Sequence, residues 1–382
     1  MNGNEPQHGA HTPQMRGRGT SQNPANRFTH LEIVPDAEAL EAARQAHEAD
    51  VAADEENGQP PEADPFVAPT RYFVDASRSI LVRNDSPDVN FSVSINPYRG
   101  CEHGCIYCYA RPSHEYFGLS AGLDFETVLF VKRDAPELLR RELKRPSYAP
   151  EPIALSGVTD PYQPIEREFR ITRGVLEVLT EFRHPVGIVT KNALVTRDLD
   201  LLGALAQQYG AARVMISVTT LDPRLKRILE PRASSVRRRL DAIRQLAEAG
   251  VPVGVLVAPI IPGLTEHEIP SILEQAADAG ATSAGSVMLR LPHAVKDLFA
   301  DWLERHLPEA KEKVLGRVRQ MRDGELNDSR FGRRMRGSGP LADQIHDLFR
   351  LAKRKAGLEA GVRDPLSTAS FRVPGRTKSL FD

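Results

Sequence analysis

From residue 91 to residue 306, short apolar runs alternate with longer amphipathic stretches, and this alternation limits the fold more than any other feature of the chain. The runs occupy 91–96, 152–156, 186–190, 213–218, 253–258 and 286–289, and their β-branched content predicts strands. A further short run at 79–82 reads the same way. The stretches between them have helical spacing. In 172–182, Val175, Leu176, Leu179 and Phe182 fall on one face. Ser234 or Ser235 caps a helix carrying Val236, Leu240, Ile243 and Leu246, which Gly250 stops. Thr265 and Glu268 have the spacing of a capping box for a helix through Ala279, and a last core helix spans 295–306. Apolar strands alternating with amphipathic helices imply an α/β protein with a parallel sheet covered by helices. Counting the strand at 91–96 first gives six strand–helix units, short of the eight that close a barrel.

The first strand runs directly into Gly100-Cys101-Glu102-His103-Gly104-Cys105-Ile106-Tyr107-Cys108-Tyr109. These are all three cysteines of a 382-residue chain, spaced C-x3-C-x2-C. An odd, clustered set argues against a disulfide framework and for a reducing compartment. Thiolates suit iron–sulfur clusters, zinc and Cu(I). A 4Fe–4S cubane normally takes four cysteines, so three would leave one iron open to a ligand. The zinc alternative, a closed tetrahedral Cys3His site, would have to use His103, which lies inside the cysteine window. Three structural thiols are the remaining reading.

Net charge is −1, which points to neither nucleic acid nor membrane. Locally the balance shifts: 36–64 is acidic and 319–336 is rich in Arg. Residues 1–70 are polar and Pro/Gly-rich, too poor in apolar surface to offset the entropy of ordering, and are expected to be a disordered arm. Arg16-Gly17-Arg18-Gly19 and Asn26-Arg27-Phe28 within it suit a nucleic-acid backbone, a solvated tail or a strap docked on the core. The core is expected over 71–310, a basic helical extension over 311–363, and a disordered tail over 364–382. The N-terminus lacks the apolar core of a secretory signal, and 251–261 is too short to span a bilayer, so a soluble, cytoplasmic protein is expected.

The cysteine spacing, with an aromatic before the third Cys, resembles the radical S-adenosylmethionine (radical SAM) enzymes, over roughly 93–302. Within that superfamily the chain is most similar to the spore photoproduct lyase-like branch, often labelled DNA repair photolyase. The resemblance implies a partial, open (β/α)6 TIM-like barrel and an iron–sulfur cluster of the 4Fe–4S type on Cys101, Cys105 and Cys108. It also implies S-adenosyl-L-methionine on the open iron and an electron donor such as flavodoxin or ferredoxin. Reductive cleavage would then give a 5′-deoxyadenosyl radical that abstracts hydrogen from a substrate, with nucleic acid one candidate. Tyr107 and Tyr109 flank the third Cys as in the lyase and are the candidate catalytic residues, Tyr107 also touching the cofactor. Ser156, Gly157, Thr159 and Asp160 match the Gly-rich segment near the SAM amino group. Lys191 matches the lysine for its carboxylate, Ser217 a serine near the ribose, and Ala258 a backbone contact to adenine. Asp160 and Glu166 are equally readable as loop carboxylates. The lyase keeps a further cysteine to return hydrogen, and this chain has none, so that step does not carry over. The competing function is a metal-stabilised protein that binds nucleic acid through the Arg-rich stretch without catalysis.

Overall fold

A computed structural model describes residues 17–20, 22–28, 69–359 and 366–375. Among the described residues, ten strands form two sheets. They are β1 (Arg71–Val74), β2 (Leu81–Arg83), β3 (Val93–Ile95), β4 (Tyr98–Arg99), β5 (Val128–Val131), β6 (Ile153–Leu155), β7 (Val186–Thr190), β8 (Ala212–Ser217), β9 (Val253–Ile260) and β10 (Ser283–Met288). The main sheet runs β10-β9-β8-β7-β6-β3-β2. From β3 to β10 every neighbour is parallel, and β2 closes one edge antiparallel. Among the described residues β10 has no partner on its other side, so the barrel is open, as the six-unit count predicts.

The helices cover this sheet for the reasons visible in the sequence. Val175, Leu176 and Leu179 of α1 (Ile171–Glu181) are all buried. Next come α2 (Leu199–Tyr209) and α3 (Val236–Glu248), the latter capped by Ser235 Oγ accepting from the Arg238 N–H. The expected capping box does not form at α4 (Ile269–Asp278). Thr265 Oγ1 instead accepts from Ile261 N at 2.9 Å, and Glu268 binds Thr220 Oγ1 at 2.6 Å and Leu221 N at 2.5 Å. Both side chains are spent on neighbouring loops, and α4 starts with a proline in its first turn.

Three features depart from the sequence reading. A second sheet, β1-β5-β4, packs beside the cysteine loop, and its strands are too short to stand out by periodicity. Residues 366–375, expected in a disordered tail, lie back on the core. Phe371 sits edge-on to His184 at 5.4 Å, and Arg372 N donates to the Phe182 carbonyl. Residues 17–28, expected in a disordered arm, dock beneath the cysteine loop wherever they are described. Apart from residues 69 and 70, the rest of that arm lies outside the described residues. Among them no helix is long and apolar enough to cross a membrane.

Candidate active site

The cysteine loop is held from every side. Arg111, fully buried, donates to the Cys105 carbonyl from Nε (3.1 Å) and Nη2 (2.9 Å) and pairs with Glu126. Glu102 Oε2 accepts from Ile165 N, while its other oxygen meets Thr70, Tyr72 and Arg232. The strap closes the underside: Arg18 Nη1 donates to the Glu126 carbonyl, and Gly19 N to Glu126 Oε2, both at 2.9 Å. A Cβ on Gly19 would stand 1.9 Å from the Gly104 carbonyl oxygen, so only glycine fits. Gly19→Val should therefore cost about 1–3 kcal/mol of overpacking and lift the strap. Limited trypsin digestion should then cut at Arg18 in the variant and spare it in the wild type. Equal protection in both would show that the strap does not depend on this contact.

Above the loop, the strand tips bring the expected residues together. Lys191 follows β7, Ser217 ends β8 and Ala258 lies near the end of β9. Lys191 Nζ donates to Ser217 Oγ at 2.8 Å and to the Ala258 carbonyl at 3.2 Å. Among the described residues it forms no ion pair, and it stands 5.8 Å from the centre of the Tyr107 ring. Ser156 and Gly157, with φ of 147° and 139°, turn the segment after β6, and Asn96 Oδ1 accepts from Val158 N at 3.0 Å. Ser156 Oγ donates to the Thr159 carbonyl, and Thr159 Oγ1 to the Gly100 carbonyl. The Thr159 hydroxyl thus ties the segment to the cysteine loop, while the Ser156 hydroxyl closes the segment on itself.

The pattern of the Radical SAM superfamily matches residues 95–276. This chain belongs to the radical SAM superfamily. An uncharacterised Mycobacterium tuberculosis protein is 39% identical over 221 residues, 57% of this chain and 65% of that one, so the chain spans under two thirds of that relative's length. An uncharacterised protein of Acidianus two-tailed virus is 30% identical over 217 residues, 54% of this chain and 68% of that protein. Among solved structures, a spore photoproduct lyase mutant with bound AdoMet and dinucleoside spore photoproduct superposes with a TM-score of 0.53. At 17% identity, it covers 85% of this chain and 97% of its own, a likeness of fold.

The donor set fits the superfamily's 4Fe–4S cluster better than a zinc site. Burial pushes all three thiols up, Cys105 to about 12, so a bound metal would have to supply the charge that stabilises the thiolates. His103, the fourth ligand a zinc site would need, is engaged elsewhere: Asn192 Nδ2 faces its Nε2 at 3.2 Å and Asp160 its Nδ1 at 3.4 Å. Among the described residues no three His, Cys, Asp or Glu side chains surround one ion position.

Both carboxylate oxygens of Asp160 are occupied within the protein. Oδ1 accepts from Thr190 Oγ1 (2.7 Å) and Tyr162 N (2.9 Å), and Oδ2 from Lys191 N (2.8 Å). Burial opposes its ionisation, but His103 and these donors prevail and hold its pKa below the usual range. Asp160 clips β7 to the cysteine loop. Glu166 is likewise internal, accepting from Tyr98 and pairing with Arg197. The two tyrosines separate in role. Tyr107 is buried, its hydroxyl donating to Glu230 and lying 3.2 Å from Thr219 Oγ1. Tyr109 is 48% exposed, with its hydroxyl on the Gly157 carbonyl.

Sequence reading missed Glu230 and Arg239. Glu230, wholly buried, takes hydrogen bonds from Tyr107, Thr219 and Arg239. Arg239, at the start of α3, also donates to the Ser217 and Ser234 carbonyls at 2.9 Å. The pair thus fixes the tip of β8 and the Tyr107 ring together. The Arg-rich stretch is neutralised locally: Arg330 and Arg333 pair with Asp323 and Asp328, and Arg334 with Asp88. Arg322 donates to two carbonyls.

Proposed function

We propose that the chain is a radical SAM enzyme that cleaves S-adenosylmethionine reductively and abstracts hydrogen from a substrate. The observation that carries this reading is the Lys191 ammonium, poised at three strand tips beside the cysteine loop with only neutral partners. A cation so placed suits the methionine carboxylate of SAM. When bound, the cluster and SAM would supply the electron and the 5′-deoxyadenosyl radical.

The chain's own residues do the positioning. Cys101, Cys105 and Cys108 would ligate three irons and leave the fourth to SAM. The backbone of Ser156 and Gly157, the Ser217 hydroxyl and the Ala258 carbonyl line the SAM side. Glu230 and Arg239 lock Tyr107 in place, so Tyr107 shapes the floor of the site and Tyr109 faces the substrate. A small reductant protein of the flavodoxin or ferredoxin kind would deliver the electron. The pairing of Arg330, Arg333 and Arg334 weighs against the nucleic-acid-binding alternative, because few free cations remain there to replace counterions on a phosphate backbone. A purely structural metal would also need no unpaired ammonium beside it.

Anaerobic reconstitution with iron and sulfide, followed by reduction with SAM, should yield 5′-deoxyadenosine. Stoichiometric zinc together with failure to take up iron would end this reading. In the same preparation, Lys191→Ala should weaken SAM binding at least about tenfold while the cluster absorption stays unchanged. Unchanged SAM affinity would remove Lys191 from the site.

A further inference from the structure

Arg290 follows β10 by two residues, on the rim where Lys191 and Ala258 stand. Its guanidinium lies 5.0 Å from the centre of the Tyr109 ring, the residue next to Cys108. The side chain is half-buried, its Nε is buried with no partner, and Nη1 reaches Met335 Sδ at 3.5 Å, a weak acceptor. Among the described residues Arg290 forms no ion pair. Its basic neighbours differ: Arg330 and Arg333 are paired with Asp323 and Asp328. Asp88, the carboxylate nearest in effect, is already taken by Arg334 and by the Gly332 N–H at 2.6 Å.

A guanidinium cannot shed its proton to escape burial as a lysine can. Burial lowers the Arg290 pKa, so the charge stands under a desolvation cost that Asp88, shared with Arg334 and in no ion pair with Arg290, offsets only in part. A planar cation seated on an aromatic face, with an open fork of donors, is matched to an oxyanion.

We propose that Arg290, seated on Tyr109, binds an oxyanion of the substrate, a phosphate ester or a carboxylate, beside the cysteine loop. The word substrate rests on the function proposed above, but the anion site does not require SAM cleavage, so the two fail separately. Absence of 5′-deoxyadenosine would sink the enzyme reading and leave anion binding intact.

The test uses the reconstituted full-length protein with phenylglyoxal, which attacks unpaired arginines of low pKa first. Peptide mass mapping should find Arg290 modified ahead of Arg330, Arg333 and Arg334. Inorganic phosphate or acetate, at ionic strength held constant with chloride, should slow that modification saturably. Protection by phosphate alone assigns a phosphate ester, and protection by both assigns any carboxylate or phosphate. In Arg290→Gln, the saturable rise in melting temperature with the protecting anion should shift to at least about tenfold higher concentration. Modification of Arg290 indifferent to both anions, or blocked by SAM alone, overturns the proposal.

Discussion

Cys105→Ala should leave the protein colourless after anaerobic reconstitution, with iron content near zero and no SAM cleavage. The chain has no spare thiol, because Cys101, Cys105 and Cys108 are its only cysteines. Loss of one ligand therefore cannot be covered by a neighbour. The fold should survive the change. What anchors this turn is the Cys105 carbonyl, held by Arg111, and the Ile106 N–H, which donates to the Leu229 carbonyl at 3.1 Å. Neither bond involves the sulfur. Circular dichroism and thermal melting of the apoprotein should thus match wild type, while cluster absorption disappears. A variant that stays brown would show that Cys105 is not a ligand.

That separation between sulfur and backbone also explains what the sequence could reveal. Thiolate chemistry is written in the Cys spacing, and Lys191, Ser217 and Ala258 come from the family resemblance, at positions that end parallel strands. They meet because adjacent parallel strands place their ends side by side. Side chains that serve the site from beneath leave no such trace. Glu230 precedes Pro231 in a loop, and Arg239 is one of three consecutive arginines on a helix, a pattern that reads as a solvated face. Only the fold turns Arg239 inward, toward the Ser217 carbonyl. Gly19 was equally silent, since its need for glycine comes from Gly104, distant in sequence. Asp160 is ambiguous in the sequence, readable as a cofactor contact or as a loop carboxylate. Its rim position suits a ligand contact, yet it is consumed by donors that periodicity cannot foresee. The arginines of 319–336 read equally as a nucleic-acid contact or an ordinary solvated basic surface, because Asp88, which pairs with Arg334, lies far along the chain.

Glu230→Gln should destabilise the apoprotein by about 3–5 kcal/mol at pH 7, since it leaves Arg239 buried without its counter-charge. Burial by itself would raise the Glu230 pKa, but Arg239, Lys191 and the Tyr107 hydroxyl outweigh it and hold the carboxyl down at about 2. A folded pKa below the unfolded one means that the unfolded chain binds the proton first as pH falls. The stabilisation is therefore complete above the unfolded value of about 4.5 and disappears as pH drops through about 2. Within that window the wild type should lose about 1.4 kcal/mol per pH unit more than the Gln variant, the slope of one proton. Urea denaturation of both proteins from pH 7 to pH 3 measures this directly. The two stability curves should run parallel at neutral pH and converge below pH 4.5. A gap that stays constant down to pH 3 would mean that Glu230 is not the charged partner holding Arg239, Tyr107 and the tip of β8 in one arrangement.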